Sequence, residues 1–209
     1  MKLSIRVMVL SLILIPFSTT LASPCGKDGM TALRANDGSG FLFYLFRNGP
    51  DIYFSLGGNE ISFPEGTKGP RRFTIDGIFY ESLIVKPSEI AGAEKGLADL
   101  ELLKSHQRSE FAYMQTTSTP LKELVELGPR KKPAADGQPE FTFYLWLARM
   151  PGDAKGTRQY FLTTVSNKEV VVLTAIVRNE AANALAMQSF GSYAGSFQHV
   201  LKKEDCPSK

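Results

Sequence analysis

Phe141-Thr142-Phe143-Tyr144-Leu145-Trp146-Leu147-Ala148-Arg149 is the stretch that decides the fold. Nine residues are too few for a typical buried helix, and the run is rich in aromatic and β-favouring side chains. Apolar residues occupy both parities, so the expected strand is covered on both faces. After a turn at Pro151 to Thr157 comes Arg158 to Val165, a second strand. Ser166-Asn167-Lys168-Glu169 then connects tightly into Val170 to Val177. Three apolar runs at hairpin spacing predict an antiparallel meander.

Working outward, Asn179 is a suitable N-cap for a helix with the stripe Ala182, Ala186, Phe190, Tyr193, Phe197, Val200 and Leu201. Gly191 and Gly195 interrupt it, as a close backbone approach or a kink would require. Upstream, Leu97, Leu100, Leu103, Gln107, Phe111 and Met114 follow one face of a helix from about residue 97 to 115. Leu121 to Leu127 reads as a short strand, and Gly128 to Gln138 as a basic loop. The first half offers strands at Phe41 to Phe46, Asp51 to Leu56, Glu60 to Phe63 and Arg72 to Val85, the last bent or bulged at Asp76-Gly77. Gly26 to Gly40 reads as a loop or a short turn of helix. The order strands, helix, strands, helix predicts an α+β domain, a largely antiparallel sheet with two long helices packed on it. The hairpin–helix pattern from Arg158 to Val200, with Gly195-Ser196-Phe197 near its end, resembles the closing unit of PsbP/Mog1-type α/β/α sandwiches. The likeness includes no functional motif, so it implies a fold and no activity.

The chain begins with an export signature. Lys2 and Arg6 precede the apolar run Val7 to Phe17, and Thr20 and Ala22 supply small residues at −3 and −1 before Ser23. The run is shorter than the roughly 20 residues of a membrane span and holds Pro16. The expected division is a cleaved leader over residues 1–22 and one globular domain over 23–209, working in the periplasm or secreted, with no stable membrane anchor. Lipidation of Cys25 is disfavoured by Pro24 directly before it.

Cys25 and Cys206 are the two cysteines of the chain. In an oxidising compartment such a pair is expected to form a disulfide, and closing so long a loop is worth roughly 5 kcal/mol in the chain-entropy model. Two thiols and two histidines without short spacing make no metal signature, and no metal or cofactor is expected. The full chain carries 24 basic and 21 acidic residues, net +3. Lys2 and Arg6 leave with the leader, so the mature net charge is +1 and offers no footprint for nucleic acid.

Catalytic signatures are sparse. There is no Gly-x-Ser-x-Gly elbow and no phosphate-binding glycine loop. His106 and Glu110, four residues apart on the first helix, read first as an ion pair on a solvated face. A catalytic reading makes His106 an acid/base oriented by Glu110 or by Glu81. His199 is expected near the end of the last helix, facing solvent or complementing the helix C-terminus. Arg130-Lys131-Lys132 is a basic run able to meet an acidic partner, although such runs commonly serve as solvated loops. The possible binding residues are therefore His106, Glu110, Arg130, Lys131 and Lys132. The leading expectation is an exported, soluble, non-catalytic cell-envelope protein that binds a partner protein or small ligand, between sheet and helix or beside the basic run. The alternatives are a secreted hydrolase using His106 with a carboxylate, and an inhibitor or immunity-type protein.

Overall fold

The computed structural model describes residues 29–46, 51–64, 71–93, 96–117, 122–150 and 156–200. The leader, Cys25 and Cys206 lie outside the described residues. Strands β1 (Gly29–Arg34), β2 (Gly40–Phe46) and β3 (Ile52–Gly57) lead into β4 (Ile61–Ser62), β5 (Arg72–Ile75) and β6 (Ile78–Val85). A single 3-10 turn at Pro87–Glu89 precedes helix α1 (Asp99–Thr116). Then come β7 (Glu123–Lys132), β8 (Phe141–Arg149), β9 (Arg158–Ser166), β10 (Glu169–Val177), helix α2 (Glu180–Ser196) and β11 (Gln198–His199).

The strands form two antiparallel sheets, a seven-stranded one in the order β4-β5-β6-β10-β9-β8-β7 and a four-stranded one in the order β1-β2-β3-β11. The fold is α+β with antiparallel sheets and two long helices. Helix α1 covers one face of the large sheet, while α2 and the small sheet share the other.

Period-2 alternation explains this layering. On β8, Phe141, Phe143, Leu145 and Leu147 join the core shared with α2 and the small sheet, whereas Tyr144, Trp146 and Ala148 join the core under α1. The first core is an aromatic chain that ties the layers together. Phe43 stacks on Phe54 at 5.1 Å and meets Phe73 of β5 at 4.8 Å. Tyr193 of α2 lies 4.7 Å from Phe54 and 6.2 Å from Phe143. Each buried ring of this kind contributes roughly 1.5–3 kcal/mol.

The turns show why the strands begin and end where they do. Asp76 and Gly77 have φ of +48° and +79°, and Asn167 and Lys168 have +51° and +63°. Two consecutive residues at positive φ make the primed turn that suits the twist of a hairpin. Asp76-Gly77 is therefore a two-residue hairpin turn between β5 and β6, not a bend or bulge within one strand. The bulge lies instead on β7, where the register with β8 shifts between Glu126 and Gly128 and Gly128 adopts φ +87°.

Three expectations are corrected. Residues 29–34 form a strand, because Met30 and Ala32 face the core and pair with β2. Residues 128–132 continue β7 past its bulge, since Arg130 and Lys132 fall opposite Phe143 and Phe141. Helix α2 stops at Ser196, short of Val200. There Ser196 Oγ donates to Ser192 O at 2.6 Å and accepts from Ser55 N at 2.8 Å, and Phe197 turns into the rings of Phe141 and Phe143. β11 then pairs with Ile52 and Tyr53.

Candidate functional site

A cleft of about 240 Å³ opens where the β1–β2 turn, the end of β3, the β5–β6 hairpin and α2 converge. Its small-sheet wall is made of turns: Gly38 and Ser39, then Gly57, Gly58 and Asn59. Opposite stand Ile75, Asp76, Ile78 and Tyr80 of the hairpin, and Leu185, Gln188 and Ser189 of α2 complete the lining.

These turns are held by local chemistry. Asp76 Oδ1 accepts hydrogen bonds from Asn59 N and Glu60 N, both at 3.0 Å, and its own N–H donates to Glu60 O at 3.1 Å. Gly58, at φ +149°, passes so close to the hairpin that a Cβ would sit 2.2 Å from Ile75 Cγ2. Only glycine fits there. Arg34 donates to Asn59 O and, at 3.2 Å, to Gly38 O, which braces two of the turns with one guanidinium. Asp37 accepts from Ser39 Oγ at 2.6 Å and Ser39 N at 2.9 Å, and those bonds hold its carboxyl below the ordinary range.

The lining offers hydroxyls from Ser39, Ser189 and Tyr80, amides from Asn59 and Gln188, and apolar surface from Ile75, Ile78 and Leu185. Burial pushes the Tyr80 hydroxyl pKa up, partly offset by its hydrogen bond with Ser189, so it remains a neutral donor. Among the described lining residues there is no Lys, Arg or His, and Asp76 is the single carboxylate. Such a surface can hold a small ligand with both hydrogen-bonding and apolar parts. It assembles no nucleophile with its base.

His106 and Glu110 lie elsewhere, under and beside α1. His106 is only 4% exposed and its Nδ1 is buried without a partner. Burial lowers its pKa to about 4, so the ring is neutral. Glu110 is half-buried, and its carboxyl is pushed up by desolvation and by the charge of Glu81. Glu81 is itself paired with Arg72 at 2.6 Å. The expected ion pair on a solvated face is therefore corrected: α1 turns Leu102, Leu103, Ser105, His106, Gln107 and Met114 inward and leaves Tyr113 65% exposed. The sheet beneath presents polar atoms as well. Tyr144 Oη and Trp146 Nε1 are buried without partners, and Tyr144 is pushed up to about 12 by burial and by nearby Glu126. Gln107 Nε2 is likewise unpaired. Neither His106 nor Glu110 lines the cleft.

The basic run is divided by the strand that carries it. Arg130 is exposed, and Lys131 pairs with Glu140 at 2.8 Å. Lys132, on the face opposite to Lys131, donates to Phe197 O at 2.7 Å, and burial lowers its pKa. Two of these cations thus have structural partners. His199 is corrected too: it sits in β11, half-buried, with Nε2 2.9 Å from Ser166 Oγ and its ring against Phe141.

Sequence reasoning missed the cleft residues: Gly57 to Asn59 merely fall between two expected strands, and Asp76-Gly77 reads as a bend or bulge. Nothing in the sequence alone says that two turns so far apart meet. Among the described residues there is no group of three or more His, Cys, Asp or Glu side chains placed to hold a metal ion. Among them, too, no helix is long and apolar enough to cross a membrane.

Comparison with known proteins returns a single kind of likeness. No protein-family model matches the chain, and no curated protein matches it in sequence. Among solved structures it is similar to the solution structure of a cyanobacterial PsbP from Synechocystis, at 13% identity and a TM-score of 0.43, over 82% of this chain and 93% of that one.

Proposed function

We propose that this chain is an exported, non-catalytic binding protein of the cell envelope, periplasmic or secreted, whose small ligand or partner side chain enters the cleft beside α2. The carrying observation is the cleft itself, with walls fixed by Gly58, Asp76 and Arg34 and a lining of hydroxyls, amides and apolar groups without a catalytic pair. Preorganised walls favour binding because little order has to be gained when a ligand arrives.

Export rests on the leader over residues 1–22, with residues 23–209 as the mature domain. A Cys25–Cys206 disulfide belongs to the same proposal, and the strand register supports it. Met30, Leu45, Ile52 and His199 form one row across the small sheet, so the first described strand begins on the side where the last one ends. Three strand spacings separate them, roughly 14 Å. Four residues from Cys25 to Gly29 and six from Val200 to Cys206 reach across with ease at about 3.3 Å each.

The test is native mass spectrometry of the protein recovered from an envelope fraction, beside a Leu185→Glu variant. Leu185 is 45% exposed at the cleft rim, so its replacement spares the core. A bound mass on the native protein that the variant lacks is the expected result. Protein that is bare in every preparation, or that carries the same mass in both forms, contradicts the reading.

A further inference from the structure

Among the described residues the two sheets have four edges, and these are not alike. β4 and β11 are two residues long. β7 is long but guarded by its bulge, by Pro129, and by Arg130, Lys131 and Lys132, devices that keep an edge from pairing with another chain. β1 has none of these. It is a six-residue strand, Gly29-Met30-Thr31-Ala32-Leu33-Arg34, bonded on one side to β2 and on the other to no described residue. Its one charge, Arg34, is drawn away to Asn59 O and Gly38 O and lies over the Phe41 ring. Leu33 is 38% exposed.

We infer that β1 pairs antiparallel with β1 of a second copy of this chain, joining two small sheets into one eight-stranded sheet across a two-fold axis. Strand self-complementarity selects this occupant. With the axis at Thr31, Thr31 faces Thr31, Met30 faces Ala32 and Leu33 faces Gly29. Core-side residues then meet core-side residues, as the period of a strand demands, and no like charges oppose one another. A two-fold pairing also closes on itself, so association stops at the dimer. At β7 the bulge between Glu126 and Gly128 and the missing N–H of Pro129 break the regular ladder that such a pairing needs.

Sedimentation equilibrium of the full mature chain, from micromolar to near-millimolar, tests this. The expected weight-average mass rises towards twice that of one chain. Thr31 is half-exposed, so Thr31→Lys and Thr31→Glu both leave the core intact, and each places like charges face to face. Each variant alone is expected to weaken self-association at least about tenfold. An equimolar mixture of the two is expected to restore it as a mixed dimer. A native chain that stays monomeric throughout overturns the inference. So does either variant dimerising as well as the native chain, or a mixture that fails to recover.

Discussion

The two faces of the large sheet are held in different ways. Helix α2 is joined to its side by interlocking rings, with Tyr193 wholly buried between Phe54 and Phe143, and its first turn is capped by Asn179 Oδ1 accepting from Ala182 N at 2.8 Å. Helix α1 meets its side partly through polar atoms. His106 Nδ1, Gln107 Nε2, Tyr144 Oη and Trp146 Nε1 are all buried there without partners, and the residue before the helix, Ala98, supplies no side-chain cap. An unpaired buried polar group costs about 1–3 kcal/mol, and the α2 side carries its own in Tyr193 Oη, so the difference lies in the larger number under α1. The cleft lies on the α2 side.

Breaking the α2 side has the largest expected effect. Phe54→Ala removes a fully buried ring stacked on Phe43, and urea denaturation should show a loss of about 3–5 kcal/mol. An unchanged midpoint would mean that these rings do not carry the core.

Acid sharpens the contrast on the α1 side. His106 titrates near 4 in the folded chain and near 6.5 when unfolded, so the unfolded state binds the proton first. Stability should therefore fall as pH drops from about 6.5 to about 4, by up to roughly 3 kcal/mol. Glu110 opposes this, because a carboxyl raised in the folded state favours folding when protonated. Denaturation midpoints against pH should flatten in His106→Leu and steepen in Glu110→Gln. The same acid slope in native protein and His106→Leu would show that this ring is not the titrating group.

Capping gives a paired test. Asn179→Ala should cost about 1 kcal/mol, while Ala98→Ser should gain about 0.5–1 kcal/mol on the uncapped helix. An effect of the same size is expected at Gly191, where an added Cβ would meet nothing within 4 Å. Gly191→Ala should raise the unfolding free energy by roughly 0.5–1 kcal/mol. A loss there would point to a close backbone approach, one of the two readings, with a kink, that the sequence offers for this glycine.

How far the sequence carried the fold depends on whether a signal was local. Strand β8, the helix from 99 to 116 and the cap at Asn179 rest on period and nearby chemistry, and each stands where it was expected. β1 carries little strand signal at Gly29 and Ala32 and is flanked by Gly, Asp and Asn, and its pairing with β2 is what holds it. The end of α2 was missed because the stripe continues through Val200, while the pairing of β11 with β3 overrides helical propensity. His106 was placed on the wrong face because polarity was read as exposure, and a sheet surface bearing Tyr144 and Trp146 cannot be seen from the helix. The cleft was the least legible part, as it exists only where turns near residues 39, 58 and 76 come together.

The proposed binding role belongs to a mature chain working outside the cytoplasm. Intact-mass analysis of native protein from cells, with thiols alkylated before and after reduction, tests that premise most directly. The account predicts a chain starting at Ser23 in which Cys25 and Cys206 accept label only after reduction. A chain still carrying residues 1–22, with both cysteines labelled at once, would contradict it.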